Sequence, residues 1–198
     1  MAFIPTHPMQ MVIYPIGAGE LVKLERGGIE AYENGAAWFP DGRRIIPCGH
    51  EPGRALRVYI QAIPVGKPQP IAPEGTHLGA LSPDGKLVLA RGSDGSWDTH
   101  PVGGGPPRPV PGLTAREEPI RWSADGSSVY VFDPREVPSR VERFTLATGQ
   151  RDLVMTVGTE NRTGLTRVSS VTMADDPRVY AYSFYRQLSS LFVWDGAR

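Results

Sequence analysis

The sequence predicts an all-β protein of the propeller type, built from four-stranded antiparallel blades. Three observations predict it. A turn-centred segment recurs about every 45 residues, the spacing of propeller blades. Gly and Pro are abundant, at 23 and 20 of 198 residues, as frequent chain reversal requires. Apolar residues alternate with period two in short runs, and no window carries the 3.6-residue apolar stripe of a helix.

Four segments lie over one another. The first is Ala37-Trp38-Phe39-Pro40-Asp41-Gly42-Arg43-Arg44-Ile45-Ile46, and the second Ala80-Leu81-Ser82-Pro83-Asp84-Gly85-Lys86-Leu87-Val88-Leu89. The third is Arg121-Trp122-Ser123-Ala124-Asp125-Gly126-Ser127-Ser128-Val129-Tyr130, and the fourth Val171-Thr172-Met173-Ala174-Asp175-Asp176-Pro177-Arg178-Val179-Tyr180. Aligned on Asp41, Asp84, Asp125 and Asp175, they stand 43, 41 and 50 residues apart. Each reads as a hairpin between the inner strand of a blade and its neighbour. In Ser82-Pro83-Asp84-Gly85, Pro presets φ, Asp bonds its own backbone, and Gly accepts the positive φ that reverses the chain. In the fourth copy Asp176 stands in the place of Gly, and Asp tolerates the left-handed region.

The outer strands follow between these turns, at 56–63 and 69–72, then 96–102 and 108–110, then 140–146 and 151–157. Before the first repeat, 11–15 and 20–24 read as the last two strands of an earlier blade; after the last, 179–184 and 191–194 follow. The chain is therefore one propeller region over 1–198. It holds a partial blade at 11–25, blades at about 35–72, 77–110 and 118–157, and a last blade at 168–194. About four to five blades are expected, in a partial or open array.

Composition narrows the function. Hydrophobic residues make up 40% of the chain and charged residues 21%, an ordinary globular balance. The 21 basic and 21 acidic residues are dispersed, and no basic run tracks a phosphate backbone, so no nucleic-acid partner is expected. No apolar stretch reaches the ~18 residues of a membrane span. The first ten residues lack the basic and apolar regions of a signal peptide. Cys48, the single cysteine, reads as a small buried hydrophobe. His7, His50, His77 and His100 stand too far apart for metal-ligand spacing, so no metal or other cofactor is expected. Gly17-Ala18-Gly19 is a turn between strands, not a nucleotide loop, and no Gly-x-Ser-x-Gly elbow occurs. Trp97-Asp98 and Trp194-Asp195 lack the Gly-His partner of Trp-Asp repeats.

Gly103-Gly104-Gly105-Pro106-Pro107-Arg108-Pro109-Val110-Pro111-Gly112-Leu113 and Glu118-Pro119-Ile120-Arg121-Trp122-Ser123-Ala124-Asp125-Gly126 resemble the C-terminal WD40-like (TolB-type, PD40) propeller of large bacterial serine/threonine protein kinases. The segments 140–150 and 180–191 are similar to the same family, and the resemblance covers most of 36–198. It departs at Asp175-Asp176, where that family has Asp-Gly after Pro or Ala. The resemblance implies a regulatory or sensory propeller appended to a kinase, not kinase activity in this chain. It also implies an extracytoplasmic place within a membrane-anchored parent, against a cytoplasmic one for the chain expressed alone.

The expected function is therefore a non-catalytic binding module, with a propeller-based hydrolase or the accessory propeller of a serine peptidase as the alternative. No catalytic residue is assigned. In a propeller, the loops between blades and those between second and third strands share one face, where ligands commonly bind. The candidate binding residues on it are His50, His77, Trp97, Arg116, Arg135, Tyr185 and Arg186, because aromatic and arginine side chains anchor interfaces. Other residues of these loops include Glu30, Tyr32, Glu117 and Asp98. A protein, peptide or small ligand is the expected partner there. Missing blades of a parent chain, or self-association through open sheet edges, would account for the ends.

Overall fold

The computed structural model describes residues 2–4, 8–191 and 196. Strands and turns make up these residues, and no helix among them is long and apolar enough to cross a membrane. Blade 1 consists of β4 (Ala31–Trp38), β5 (Arg44–His50), β6 (Arg57–Ala62) and β7 (Gln69–Pro70). Blade 2 consists of β8 (His77–Leu81), β9 (Leu87–Arg91), β10 (Trp97–Pro101) and β11 (Arg108–Pro109). Blade 3 follows as β12 (Glu118–Trp122), β13 (Ser128–Phe132), β14 (Ser139–Thr145) and β15 (Arg151–Val157). A three-stranded sheet of β1 (Ala2–Ile4), β2 (Gln10–Ile13) and β3 (Val22–Lys23) precedes them. A two-stranded sheet of β16 (Leu165–Met173) and β17 (Tyr180–Arg186) follows. All pairings are antiparallel between consecutive strands, and the whole is a partial propeller of about four blades. The expected strand at 191–194, Trp194-Asp195 and His7 fall outside the described residues, save Leu191.

The turns that carry the repeat share one set of hydrogen bonds. The carboxylates of Asp41, Asp84 and Asp125 each accept the backbone N–H two residues on, from Arg43, Lys86 and Ser127. Gly42, Gly85 and Gly126 follow with φ of 64°, 68° and 70°. In blades 2 and 3 a serine completes the turn. Ser82 and Ser123 donate to the aspartate and accept the N–H of Leu87 and Ser128. These bonds to its charged form push the Asp125 carboxyl down to about 2, the Ser123 hydroxyl contributing most.

The fourth copy corrects the alignment by one residue. Met173 faces Tyr180 across the turn as Trp38 faces Ile45, Leu81 faces Val88 and Trp122 faces Val129. Asp176, not Asp175, therefore matches Asp41, and its carboxylate accepts the Arg178 N–H at 3.0 Å. Pro177, rather than Asp176, stands where the other copies have glycine. Proline fixes φ near −65° and has no N–H, so the turn closes instead through the Val179 N–H and the Asp176 carbonyl, at 2.9 Å.

The apolar core lies between blades, in four layers. The sheet β1–β3 meets blade 1 through Met11, Leu24, Ile29, Tyr32, Ile45 and Tyr59. Blades 1 and 2 meet through Phe39, Ile46, Cys48, Val58, Val88 and Ala90. Between blades 2 and 3 lie Leu89, Trp97, Trp122, Val129, Val131 and Phe144. Phe132, Val141, Val157, Val168, Val171 and Met173 join blade 3 to β16. Blade interiors are thus buried on both faces: Val129 and Val131 point to one layer, Phe132 to the next. The indole N–H of Trp122 donates to the Ala80 carbonyl of blade 2 at 3.2 Å, adding a polar link across the seam.

In blades 1 to 3 and in the pair β16–β17 the register shifts along the first strand against the second, as at a β-bulge, which bends a strand and sharpens its twist. Gly79 stands at the bulge of blade 2, between Leu78 and Ala80. A Cβ there would fall 2.6 Å from the Trp97 ring and 2.8 Å from the Leu89 carbonyl oxygen. Gly79→Ala is therefore expected to destabilise the fold by about 1–3 kcal/mol through overpacking. A thermal melt checks this, and an unchanged midpoint would mean that the inner strand yields freely.

Candidate functional site

First strands begin, and second strands end, on one face of the array. Register places Ala31 opposite His50, His77 opposite Arg91, Glu118 opposite Phe132, and Leu165 opposite Arg186. The loops between blades and those after second strands therefore gather on this face.

A cavity of 410 Å³ opens there, between blades 2 and 3 and β16. His77, Arg91, Glu118, Phe132, Pro134, Arg167 and Ser170 line it, with the edge of the buried Trp97. A second hollow of 420 Å³ shares Arg91, Glu118, Pro134 and Arg167 and adds Arg116 and Arg135. The two are lobes of one groove. The Val168 N–H donates to the Pro134 carbonyl at 3.0 Å, tying β16 to the far wall.

Among the described residues, four guanidinium groups and one carboxylate line this groove. Arg91 donates to the Ala115 carbonyl at 2.9 Å and lies 3.4 Å from Glu118. Its guanidinium carbon is 5.5 Å from the centre of the Trp97 ring. Arg167 stacks on Tyr185 at 4.3 Å. Arg116 and Arg135 are exposed, and neither forms an ion pair among the described residues. In a chain of zero formal charge, this is a local concentration of positive charge.

A broader depression of 820 Å³ lies elsewhere, along Arg44, Gln69, Lys86, Val102 and Arg108. Two of its three cations are already paired: Arg44 with Asp41 at 2.7 Å and Lys86 with Asp84 at 3.6 Å. Among the described residues no three His, Cys, Asp or Glu side chains converge to hold a metal ion.

The structure brings His77, Arg116 and Arg135 to the groove, with Tyr185 beside it through Arg167. Arg186 is turned aside, donating to the Asn161 carbonyl at 2.6 Å. His50 lies at the end of β5, half-buried near the Glu51 carbonyl, and does not line the groove.

Trp97 is not a loop residue. It opens β10, is 3% exposed, and donates its indole N–H to the Thr114 carbonyl at 2.9 Å. It fills the space that Gly79 leaves open, so its bulk serves the seam. Tyr32 is likewise a core residue, 4% exposed, and burial pushes its phenol up to about 12. Glu117 is held by Arg151 of β15 at 2.6 Å and by the Thr114 N–H at 2.7 Å.

Arg91 and Arg167 escaped the sequence reading because both lie within strands, where only pairing register shows which end reaches the face. Arg91 stands directly opposite His77, so a correct register of the second hairpin is the signal that finds it.

No protein-family model matches the sequence, and no curated protein matches it. The fold is similar to that of a protein described as TolB from Agrobacterium tumefaciens. The TM-score is 0.62 at 17% identity, over 86% of this chain and 61% of that one. It is similar to a chain of a nidogen–laminin complex, with a TM-score of 0.63 at 14% identity over 92% and 68% of the two chains. The periplasmic gluconolactonase of Pseudomonas aeruginosa is a third neighbour, with a TM-score of 0.57 at 14% identity over 90% and 57%. The chain spans about three fifths of the first of these proteins. At such identities the likeness establishes a shared fold.

Proposed function

We propose that this chain is a non-catalytic propeller module, a binding or sensor element that seats its ligand in the groove where the first strands begin. One observation carries the reading. Blades 2 and 3 and β16 all send polar side chains into a single concavity, and two of its arginines, Arg116 and Arg135, have no ion-pair partner among the described residues. Such a concavity with a few convergent polar groups suits recognition. The motifs at 103–113 and 118–126 support a finer assignment, in which the module is the regulatory propeller of a bacterial serine/threonine kinase and reports ligand occupancy to it. The neighbour from a nidogen–laminin complex fits a role in protein binding, and the gluconolactonase neighbour makes turnover the outcome to test against.

Ser170→Trp tests the reading by obstructing the groove without altering its charge. A ligand screen by thermal shift is expected to yield a compound or peptide that raises the wild-type midpoint by about 5–10 °C at a hundred-fold excess over Kd. The Ser170→Trp protein should not respond to it. Equal stabilisation of both proteins, or conversion of the ligand into product, would overturn the reading.

A further inference from the structure

We infer that the groove receives an acidic peptide segment of a protein partner, whose side-chain carboxylates pair with Arg91, Arg116, Arg135 and Arg167. This rests on the reading that the groove is the binding site, and adds the chemistry of the ligand.

The charge imbalance is the first argument. Glu118 is the only carboxylate lining the groove among the described residues, and it is engaged with Arg91 at 3.4 Å. Arg116 and Arg135 are exposed without an ion pair among the described residues, although the chain holds as many acidic as basic residues. The guanidinium fork matches a carboxylate in two parallel hydrogen bonds, so arginine rather than lysine suits this partner.

Distribution is the second argument. All four arginines line the 420 Å³ lobe, and Arg91 and Arg167 reach into the other lobe as well, so the positive charge runs the length of the groove. A small anion would engage one or two of them. An extended peptide with carboxylates along its length engages all four. The remaining wall, with Phe132, Pro134 and the edge of Trp97, offers apolar contact to the stems of such side chains.

The same positive field would steer an acidic segment to the face, so association should fall with salt. The whole chain is neutral, and its basic residues form no row along a strand of phosphates, which separates this groove from a nucleic-acid track.

Fluorescence anisotropy with a labelled alternating Gly-Glu decapeptide tests the proposal, beside its Gly-Gln analogue. The acidic peptide should bind at least ~10-fold more tightly than the Gln peptide at low salt, and the advantage should shrink beyond physiological ionic strength. Arg116→Ala combined with Arg135→Ala should weaken acidic-peptide binding by about 10-fold or more, with the melting midpoint kept. Arg43→Ala, in a turn of blade 1, should leave it unchanged. Three results would overturn the inference: no preference over the Gln peptide, no loss in the double variant, or displacement by inorganic phosphate or a short single-stranded DNA at equal charge concentration. If the acidic peptide fails while Ser170→Trp still abolishes binding of an uncharged ligand, the groove keeps its role and only the charge assignment is lost.

Discussion

Trp97→Ala is expected to lower the thermal midpoint by roughly 10 °C in a melt followed by circular dichroism. The side chain is 3% exposed in the layer between blades 2 and 3. Its removal leaves a cavity among Leu89, Leu113 and Trp122, for which about 3–5 kcal/mol is the usual cost. It also strands the Thr114 carbonyl and takes away the ring beneath Arg91. Trp97→Phe fills most of the cavity and loses only the N–H, so its deficit should be about 1–2 kcal/mol. Any fall in ligand binding on Trp97→Ala would then follow from a loosened seam. A midpoint within about 2 °C of wild type would show that the seam repacks around the loss.

Arg151→Ala should have the next largest effect. Its guanidinium joins Glu117 at 2.6 Å, Glu142 at 2.9 Å and the Gly112 carbonyl at 2.7 Å, and lies over the Phe144 ring at 5.0 Å. One side chain thus fastens the outer strand of blade 3 to the loop arriving from blade 2. Without it, Glu117, whose side chain is 12% exposed, is left as a carboxylate with little water. About 2–3 kcal/mol is expected, less than for a fully buried pair because Arg151 is partly solvated. Burial works to raise the Glu117 carboxyl, but hydrogen bonds from Arg151 and Thr114 outweigh it and hold it below its ordinary value of 4.5. A carboxyl lowered on folding contributes stability that is full above 4.5 and is lost as pH falls through the folded value. The gap between wild type and Arg151→Ala should therefore be constant near neutrality and close in acid. Because the turn aspartates also titrate in acid, the comparison is between the two proteins at each pH. A gap that stays open well below pH 4.5 would show that Arg151 acts through packing on Phe144 instead.

The hairpins of this fold were legible because the forces that set them are local. Asp84 and Gly85 need only residues within the turn to explain them, and the same holds for Asp125 and Gly126. The fourth turn was misregistered for the same reason. Asp175 and Asp176 are adjacent, each is a plausible turn residue, and only the facing of Met173 and Tyr180 across the sheet separates them. The three-residue strand β1 is too short to show a period and was not read, whereas β3, β7 and β11, shorter still, fall within 20–24, 69–72 and 108–110 because the repeat spacing places them. Of the groove, His77 at the start of β8 and the loop residues Arg116 and Arg135 could be read from the repeat. Trp97 could not, since its burial depends on the missing side chain of Gly79, 18 residues earlier on another strand. Arg91 and Arg167 depend on register in the same way.

Placing the core between blades rather than within them has an evolutionary consequence. Each sheet is committed to two neighbours, and the four apolar layers have different compositions, from the tryptophan-rich layer of blades 2 and 3 to the smaller residues around Cys48. Duplicating or deleting one blade would therefore create a single junction between faces that had not met, while every other layer stayed as it was. The heritable unit of this architecture is the pair of facing surfaces. Such a chain can change its number of blades by refitting one seam, whereas the arginine-lined groove, drawn from three consecutive units, would have to be assembled anew.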